Sequence, residues 1–535
     1  MITDERIDTL KPQQLRQALR TAQAETAAKS ELIARQAREV AFKQAIIDKL
    51  THEMAVLKRL KFAAKSEAFT PEQRSLIEET LDTDLAALAA EIEVQQPVKP
   101  EREEKQSPKR LALPAHLPRR EISHEPEDTT CGCGQAMKRI GQDVAEKLDY
   151  QPGVFTVERH VRGKWVCSCC SQRGEGRLVQ APVAPHVIDK GLPSVGLLAQ
   201  VLVAKYLDHL PLYRQETIFE RAGMAIARST LAQWVGECGV QLQPLVDALA
   251  GEMLSQPVLH ADETPLAMLK PAGQRDGKTH RAYLWSYCTT GFSPMKAVVF
   301  DFADSRGGQH VRDFLRLPGT GRQPAWKGKL VTDDYSGYKA CFDLGVTEAG
   351  CMAHARRKFH ELWANHASSV GEHALKFFCT LYEVEREVRD MSADERRAIR
   401  QDKSQPVADA LHQWLTQQRQ KVPDGSATAR AIDYSLKRWA ALVRFIDDGD
   451  LPIDNNWVEN QIRPIAIGRN NWLFAGSLRA GKRAAAVMSL VHSARLNGHE
   501  PYAYLRDVLE RLPTQPASRI KELLPHRWQP AQAKA

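Results

Sequence analysis

Along the first 95 residues apolar positions recur with a helical period. Ile33, Val40, Ile47 and Met54 stand seven apart, and Leu50 and Leu57 fall three later in successive heptads. Seven-residue spacing keeps one apolar seam on one side of a helix, the pattern of a coiled coil. The stretch is also rich in Ala, Glu, Gln, Lys and Leu, so 1–95 reads as a helical, leucine-zipper-like arm. The alternative is an ordinary amphipathic helix packed on its own protein. Residues 190–254 again read as successive helices, with a turn at Ala222-Gly223 and Ser229 as the N-cap of a helix through Trp234, and this helix, turn and helix is either a DNA-binding region that enters a groove or ordinary helical packing. The texture then changes. PVLHAD, RAYLWSYC, KAVVFDF and KLVTDD are short runs rich in β-branched and aromatic residues, bounded by Gly, Pro and Asp, and they read as strands of a buried sheet. Helical texture returns over about 354–447, and LPIDNNWVENQIRP reads as a loop running into a helix.

At 535 residues, 43% of them hydrophobic, the chain is too long for one core, and three or more domains are expected. No signal-like segment opens it and no apolar run approaches a bilayer's thickness; the expectation is a cytoplasmic protein with no membrane partner. In a reducing compartment ten cysteines are poor disulfide candidates, and five of them crowd into Cys131 to Cys170. Cys131-Gly-Cys133 and Cys167-Ser-Cys169-Cys170 flank 33 strand-rich residues. Four thiolates, Cys131, Cys133, Cys167 and Cys170, would close a tetrahedral structural zinc site within a module at 121–185. Cys169 and His124 are possible substitutes, and a set of buried, inert thiols is the competing reading. Between this module and the arm, residues 96–120 hold five prolines and seven basic residues against three acidic ones, an extended linker that cannot bury a core.

Charge changes the picture further. Lys and Arg exceed Asp and Glu by 74 to 66, a modest surplus, but residues 460–499 carry six basic residues and no acid: Arg463, Arg469, Arg479, Lys482, Arg483 and Arg495. That asymmetry points to a polyanion. Transfer of a phosphoryl group in a nucleic acid places charge on entering and leaving oxygens, which two divalent cations roughly 4 Å apart neutralise. Hard cations need carboxylates. Asp262 and Asp333 stand at the ends of expected strands, and Glu459 lies on the helix after Asp454-Asn455-Asn456. Spacing alone does not separate them from turn and cap carboxylates.

The local sequences do more. HADETPL, VTDDYSGY, GCMAHARRKF and DNNWVENQIRPIAIGRNNWLFAGS, in this order, together resemble the transposases of the insertion-sequence-66 family. The likeness extends to LKFAAKSEAF, the cysteine cluster, KYLDHLPLYRQETIFERAG and VHSARLNGHEPYAYLRDVL, and so covers most of the chain. It implies a ribonuclease H-like catalytic core of multidomain α/β type over 255–478, with a helical insertion at about 354–447 and a C-terminal helical region at 480–525. It also implies that Asp262 in ADETP, Asp333 in TDDYSGY and Glu459 in NNWVENQIRP are the catalytic acids, holding Mg2+ or Mn2+ as two ions. Glu263, Asp334 and Asp454 are the nearest rivals; Glu263 alternates to the opposite strand face from Asp262, and Asp334 stands where the family tends to have Gly. Met352 in GCMAH stands where Trp is expected.

Arg356, Arg357, Lys358, Arg463, Arg469, Lys482 and Arg483 are the candidate DNA contacts. Trp472 and Phe474 are either stacking platforms for an unpaired base or core residues. The expected activity is metal-dependent cleavage and strand transfer at the ends of a bacterial insertion sequence. Its partners would be element-end and target DNA, a second copy of the chain, and accessory proteins encoded by the element. An inactive DNA-binding repressor descended from a transposase, or a ribonuclease H-like nuclease, are the alternatives.

Overall fold

The computed structural model describes residues 12–63, 71–95, 113–131 except 114, 116 and 127, 135–167 except 152, 178–188, 191–270, 279–322 and 324–530. Two compact units result, one of residues 1–66 and 87–108, the other of 67–86 and 109–535. In the first unit the glycine-free arm forms helix α1 (Pro12–Ala63). The seam is only partly used within the chain: Leu50 is buried and Ile47, Met54 and Leu57 are half-buried, whereas Ile33 and Val40 are both 65% exposed. Helix α2 (Pro71–Gln95) follows, and its first half belongs to the second unit.

The second unit opens on a small sheet of β1 (Arg119–His124), β2 (Lys138–Gln151), β3 (Val154–Val166) and β4 (Leu178–Gln180). β2 and β3 form a long antiparallel hairpin, closed at a turn where Gly153 takes φ +90°, a conformation that suits glycine. β1 adds parallel to β3, and β4 antiparallel. At its root Leu148, Phe155 and Val157 are buried in the same core as helix α3 (Val195–Tyr206). Then come α4 (Leu212–Arg221) and α5 (Arg228–Met253). The cap of α5 is Ala227, without a side-chain hydrogen bond, so Ser229 lies inside the helix and is not its cap.

The four short runs form β5 (Val258–Leu269), β6 (Thr279–Thr289), β7 (Val298–Ala303) and β8 (Lys329–Thr332); a fifth strand, β9 (Thr347–Gly350), carries no clear alternation and was not anticipated. Their order is β7-β6-β5-β8-β9, antiparallel from β7 through β5 and parallel from β5 to β9. Alternation divides the two faces. Leu259, Ala261 and Leu330 point into the large core, while Val258 and Val331 point into a second core built by the following helices. Those are α6 (Met352–His366), α7 (Ser369–Glu387), α8 (Ala393–Ile399), α9 (Gln405–Arg419) and α10 (Ala427–Lys437). Met352 is fully buried in this second core, so its departure from the expected Trp is a matter of packing.

The chain returns to the sheet as α11 (Asn456–Trp472), α12 (Leu478–Leu496) and α13 (Pro501–Arg511). Helix α12 seals the outer edge of β7: Ser493 and Ser489 accept the N–H groups of Val298 and Phe300 at 3.0 and 2.8 Å. Two serines four apart on a helix thereby match two N–H groups two apart on an edge strand, satisfying donors that would otherwise be orphaned. The first half of α2 is bolted to the same unit by two buried carboxylates. Glu79 accepts from Lys205 and, at 3.0 Å, from the N–H of Leu212 at the start of α4, where the helix dipole favours an anion. Asp84 accepts from Ser477 and from Arg483, the latter at 2.9 Å. No helix among the described residues is long and apolar enough to cross a membrane.

Candidate active site

Asp262 is the fifth of twelve residues in β5, in the middle of the strand and not at its end as the sequence suggested. It nevertheless stands where the strand loses a neighbour, because pairing with β8 runs only from Val258 to His260. Continuing that parallel register by two residues sets Asp262 level with Asp333, just past β8, and alternation puts both on the face of Val258 and Val331. Asp262 accepts the N–H of Glu263 at 2.8 Å, and Asp333 accepts that of Tyr335 at 2.9 Å. Burial pushes the Asp262 carboxyl well above the usual carboxylate range, and the negative charges of Glu263, Asp333 and Glu459 push it the same way. Residues 71 and 197 positions away in sequence, counted from Asp262 to Asp333 and to Glu459, thus act on one carboxyl.

Glu459 occupies the first turn of α11 and lines, with Asp262, an open cleft of about 290 Å3. Its Oε1 is buried without a hydrogen-bond partner, while Nη2 of Arg357 and Nδ1 of His354 lie 3.8 and 3.9 Å from the carboxylate. Burial holds His354 below the ordinary histidine range, against the opposing pull of Glu459. Among the described residues, no three His, Cys, Asp or Glu side chains are gathered closely enough to enclose one ion.

What seats α11 on the sheet is Asn455, a residue the sequence reading passed over. Fully buried, it donates from Nδ2 to the carbonyl of Ala261 at 3.0 Å and meets Nδ1 of His260 through Oδ1 at 2.8 Å. Burial lowers the His260 pKa to about 4, so its ring is neutral near pH 7. The only sequence signal was polar residues, His260 and Asn455, in otherwise apolar or loop surroundings.

The three rival acids are engaged elsewhere. Glu263, on the other face of β5, accepts from Arg306 Nε at 2.7 Å and from the Tyr338 hydroxyl at 2.6 Å. Asp334 lies 3.4 Å from Arg438, a half-buried arginine that also donates to the Asp333 carbonyl at 3.2 Å and to Glu348 at 2.6 Å. Asp454 accepts from Tyr382 at 2.8 Å and from the Asn456 N–H at 3.0 Å, the arrangement of a helix-entry turn.

Of the candidate DNA contacts, Arg357 and Arg463 line the cleft; Arg356, Lys358 and Lys482 are exposed; and Arg469 is half-buried, donating to the Pro265 carbonyl. Arg483 is a correction: it is 7% exposed and paired with Asp84, so its charge is already neutralised inside the protein. Phe474 is buried and Trp472 packs partly buried against the large core, which favours the core reading for both.

In the cysteine region residues 129–131 pair with 135–137, the Cys131 N–H donating to the Gln135 carbonyl at 2.9 Å and the Met137 N–H to the Thr129 carbonyl at 2.8 Å. Lys138 pairs with Val166, so this pairing and Cys167 sit at the same end of the β2–β3 hairpin. Cys131 is half-buried and Cys167 buried; Cys133, Cys169 and Cys170 lie outside the described residues. His124 stacks on His160 and shares a 3.0 Å hydrogen bond with it.

Comparison with known proteins gives concordant likenesses along the chain. A profile described as "Transposase IS66 family" matches residues 190–483 and one described as "IS66 C-terminal element" matches 489–526. Residues 128–171 match a "zinc-finger binding domain of transposase IS66", and residues 49–122 match "Transposase C of IS166 homeodomain". Among curated relatives, uncharacterized protein y4qI of Sinorhizobium fredii is 36% identical over 531 residues, covering 95% of each chain. Uncharacterized protein y4jD of the same organism is 34% identical over 499 residues, covering 90% of this chain and 94% of its own.

Proposed function

The chain belongs to the IS66 transposase family, and from that premise we propose that it is a DDE-type transposase, cutting and rejoining DNA at the ends of a bacterial insertion sequence. The observation that carries the proposal is geometric: the β5–β8 register sets Asp262 level with Asp333, and Glu459 at the start of α11 lines one open cleft with Asp262, beside Arg357 and Arg463. The strand order, with the first strand central, two antiparallel neighbours on one side and two parallel on the other, supports a ribonuclease H-like core.

The three carboxylates suit a hard divalent ion: all their donors are oxygens, and Glu459 offers a buried oxygen that accepts no hydrogen bond. Asp262, Asp333 and Glu459 would hold Mg2+ or Mn2+, as two ions, which when bound supply neutralisation of charge on the attacking and departing oxygens. Around them Arg357 and Arg463 grip the phosphate that flanks the scissile bond, and their fixed cations favour the extra negative charge of the transition state. Cleavage would free a 3′-hydroxyl, and the same groups would orient that hydroxyl for in-line attack on target DNA. Cys131, Cys133, Cys167 and Cys170 would hold a structural zinc ion at the end of the β2–β3 hairpin. A second copy of the chain would cover the apolar seam that Ile33 and Val40 leave exposed on α1.

The test is Mg2+-dependent cleavage and joining of labelled element-end DNA by the wild type and by Asp262→Ala, Asp333→Ala and Glu459→Ala proteins with folding and DNA binding checked in parallel. Each variant is expected to bind and to lose both reactions. Binding without chemistry in the wild type, element-encoded accessory proteins included, would replace the proposal with a DNA-binding repressor, and cleavage without joining would replace it with a nuclease.

A further inference from the structure

An asparagine in the N-cap position ordinarily turns its side chain inward to accept an N–H of the first helical turn. Asn455 is the N-cap of α11 and makes no such bond. Its side chain is spent instead on β5. Nδ2 donates to Ala261 O at 3.0 Å, which fixes the amide's orientation, since the reverse would set two acceptors together; Oδ1 therefore accepts from Nδ1–H of His260 at 2.8 Å. The backbone of Asn455 completes the junction: its N–H points to Cys351 Sγ at 3.2 Å and its carbonyl accepts the N–H of Glu459 at 3.3 Å.

One residue thus touches the strand position adjoining Asp262 through its side chain and touches Glu459 through its main chain. The β5–β8 register ends at His260, so the Asn455 amide supplies a rung where the ladder has stopped, between the two elements that carry the acids. A hydrogen-bonded pair at zero exposure is stiff, because breaking it would leave an unsatisfied polar group out of reach of water.

We infer that Asn455, backed by His260, is a positioning residue that fixes the separation of Asp262 and Glu459 so that both carboxylates reach a shared divalent cation. This rests on the metal-dependent reading above, deepening it from which acids act to what holds them in register.

Binding of Mn2+ alone to the full-length protein, followed by loss of the free-ion paramagnetic resonance signal, tests it without reference to activity. The wild type is expected to bind, and Asp262→Ala and Glu459→Ala to lose that binding. Asn455→Ala and His260→Leu should weaken it by about tenfold or more, as removal of groups that orient metal ligands commonly does. His260→Asn, whose amide N–H stands near the position of Nδ1–H, should restore affinity to within about threefold of wild type. Ser368→Ala removes an ordinary N-cap, the one that accepts the Gly371 N–H at 3.3 Å in α7, and should lower the melting temperature while leaving Mn2+ binding unchanged. Wild-type affinity in both Asn455→Ala and His260→Leu would overturn the positioning role and leave the acids standing. Wild-type Mn2+ binding that survives Asp262→Ala and Glu459→Ala would overturn the metal reading itself and this inference with it. Should Asn455→Ala fail to fold, the contrast between His260→Leu and His260→Asn decides.

Discussion

Asp262 sits in a conflict of charge. It is half-buried, and desolvation together with Glu263, Asp333 and Glu459 disfavours its ionised form. An unfolded chain would ionise it in the ordinary aspartate range, whereas the folded chain resists. Stability is therefore undiminished below about pH 4, where the carboxyl is protonated in both states, and declines as pH rises through the raised folded value. Asp262→Asn removes the conflict. In metal-free buffer the variant is expected to melt above the wild type at neutral pH, with the gap shrinking as pH falls and vanishing near the ordinary aspartate value. Thermal melts across about pH 3.5–8, spanning the ordinary aspartate value, check this, and a pH-independent gap would refute it. What distinguishes the neighbouring acids is side-chain partners: Glu263 meets Arg306 and Tyr338, Asp334 meets Arg438 and Asp454 meets Tyr382, whereas Asp262 and Asp333 accept from backbone N–H groups.

Among the elements, the insertion does more than fill space between β9 and α11. Between α8 and α9 the helix widens into a π-helical segment, Arg400–Ser404. Arg400 is fully buried; it donates to Glu385 at 2.7 and 2.6 Å and to the carbonyls of Phe445, Asp448 and Leu451 at 2.9, 3.0 and 2.9 Å. These carbonyls belong to a 3-10 turn (Arg444–Ile446) and the loop after it that leads into Asp454 and α11, so one guanidinium ties the insertion to the approach of the third acid. Replacing it strands Glu385 and three carbonyls. Arg400→Met is expected to cost about 3–5 kcal/mol, measured by urea denaturation; a loss under about 1 kcal/mol would show that water readily takes its place. The serines of α12 on the edge of β7 are the gentler counterpart, a helix finishing a sheet through hydroxyls. Neither device has a periodic signature, because each depends on one polar side chain meeting a backbone far away in sequence.

For the whole molecule, the acid-free stretch from 460 to 499 carries its charge unequally. Arg463 faces the cleft, Lys482 faces solvent, and Arg483 is sealed against Asp84 under α2. Exposed cations that meet phosphates release counterions, and buried pairs do not. Arg463→Ala is accordingly expected to reduce the slope of log affinity for DNA against log salt by about one. Arg483→Ala should leave the slope unchanged and lower stability by about 3 kcal/mol, since it strands Asp84 in the interior. Fluorescence anisotropy titrations at several salt concentrations, with melts alongside, distinguish the two. An altered salt slope in Arg483→Ala would return that residue to the DNA surface.

Periodicity and composition were enough to read the arm as a helix, the four runs PVLHAD, RAYLWSYC, KAVVFDF and KLVTDD as strands and the 354–447 region as helical. These features are local: a seven- or two-residue repeat decides which side of an element is apolar before any partner is chosen. Short motifs around Asp262, Asp333 and Glu459 marked them out for the same reason. What only the tertiary structure decided was pairing. β9, too short to show alternation, is a strand because β8 offers it a parallel edge. Asp262 lies within its strand because β6 continues to pair with β5 after β8 has ended. Arg483 is internal because Asp84, 399 residues away, descends on it, and Asn455 is a bridge and not a cap because Ala261 presents a carbonyl beside it. Each of these depends on which distant group removes water from a polar atom, and a sequence pattern carries no record of that partner.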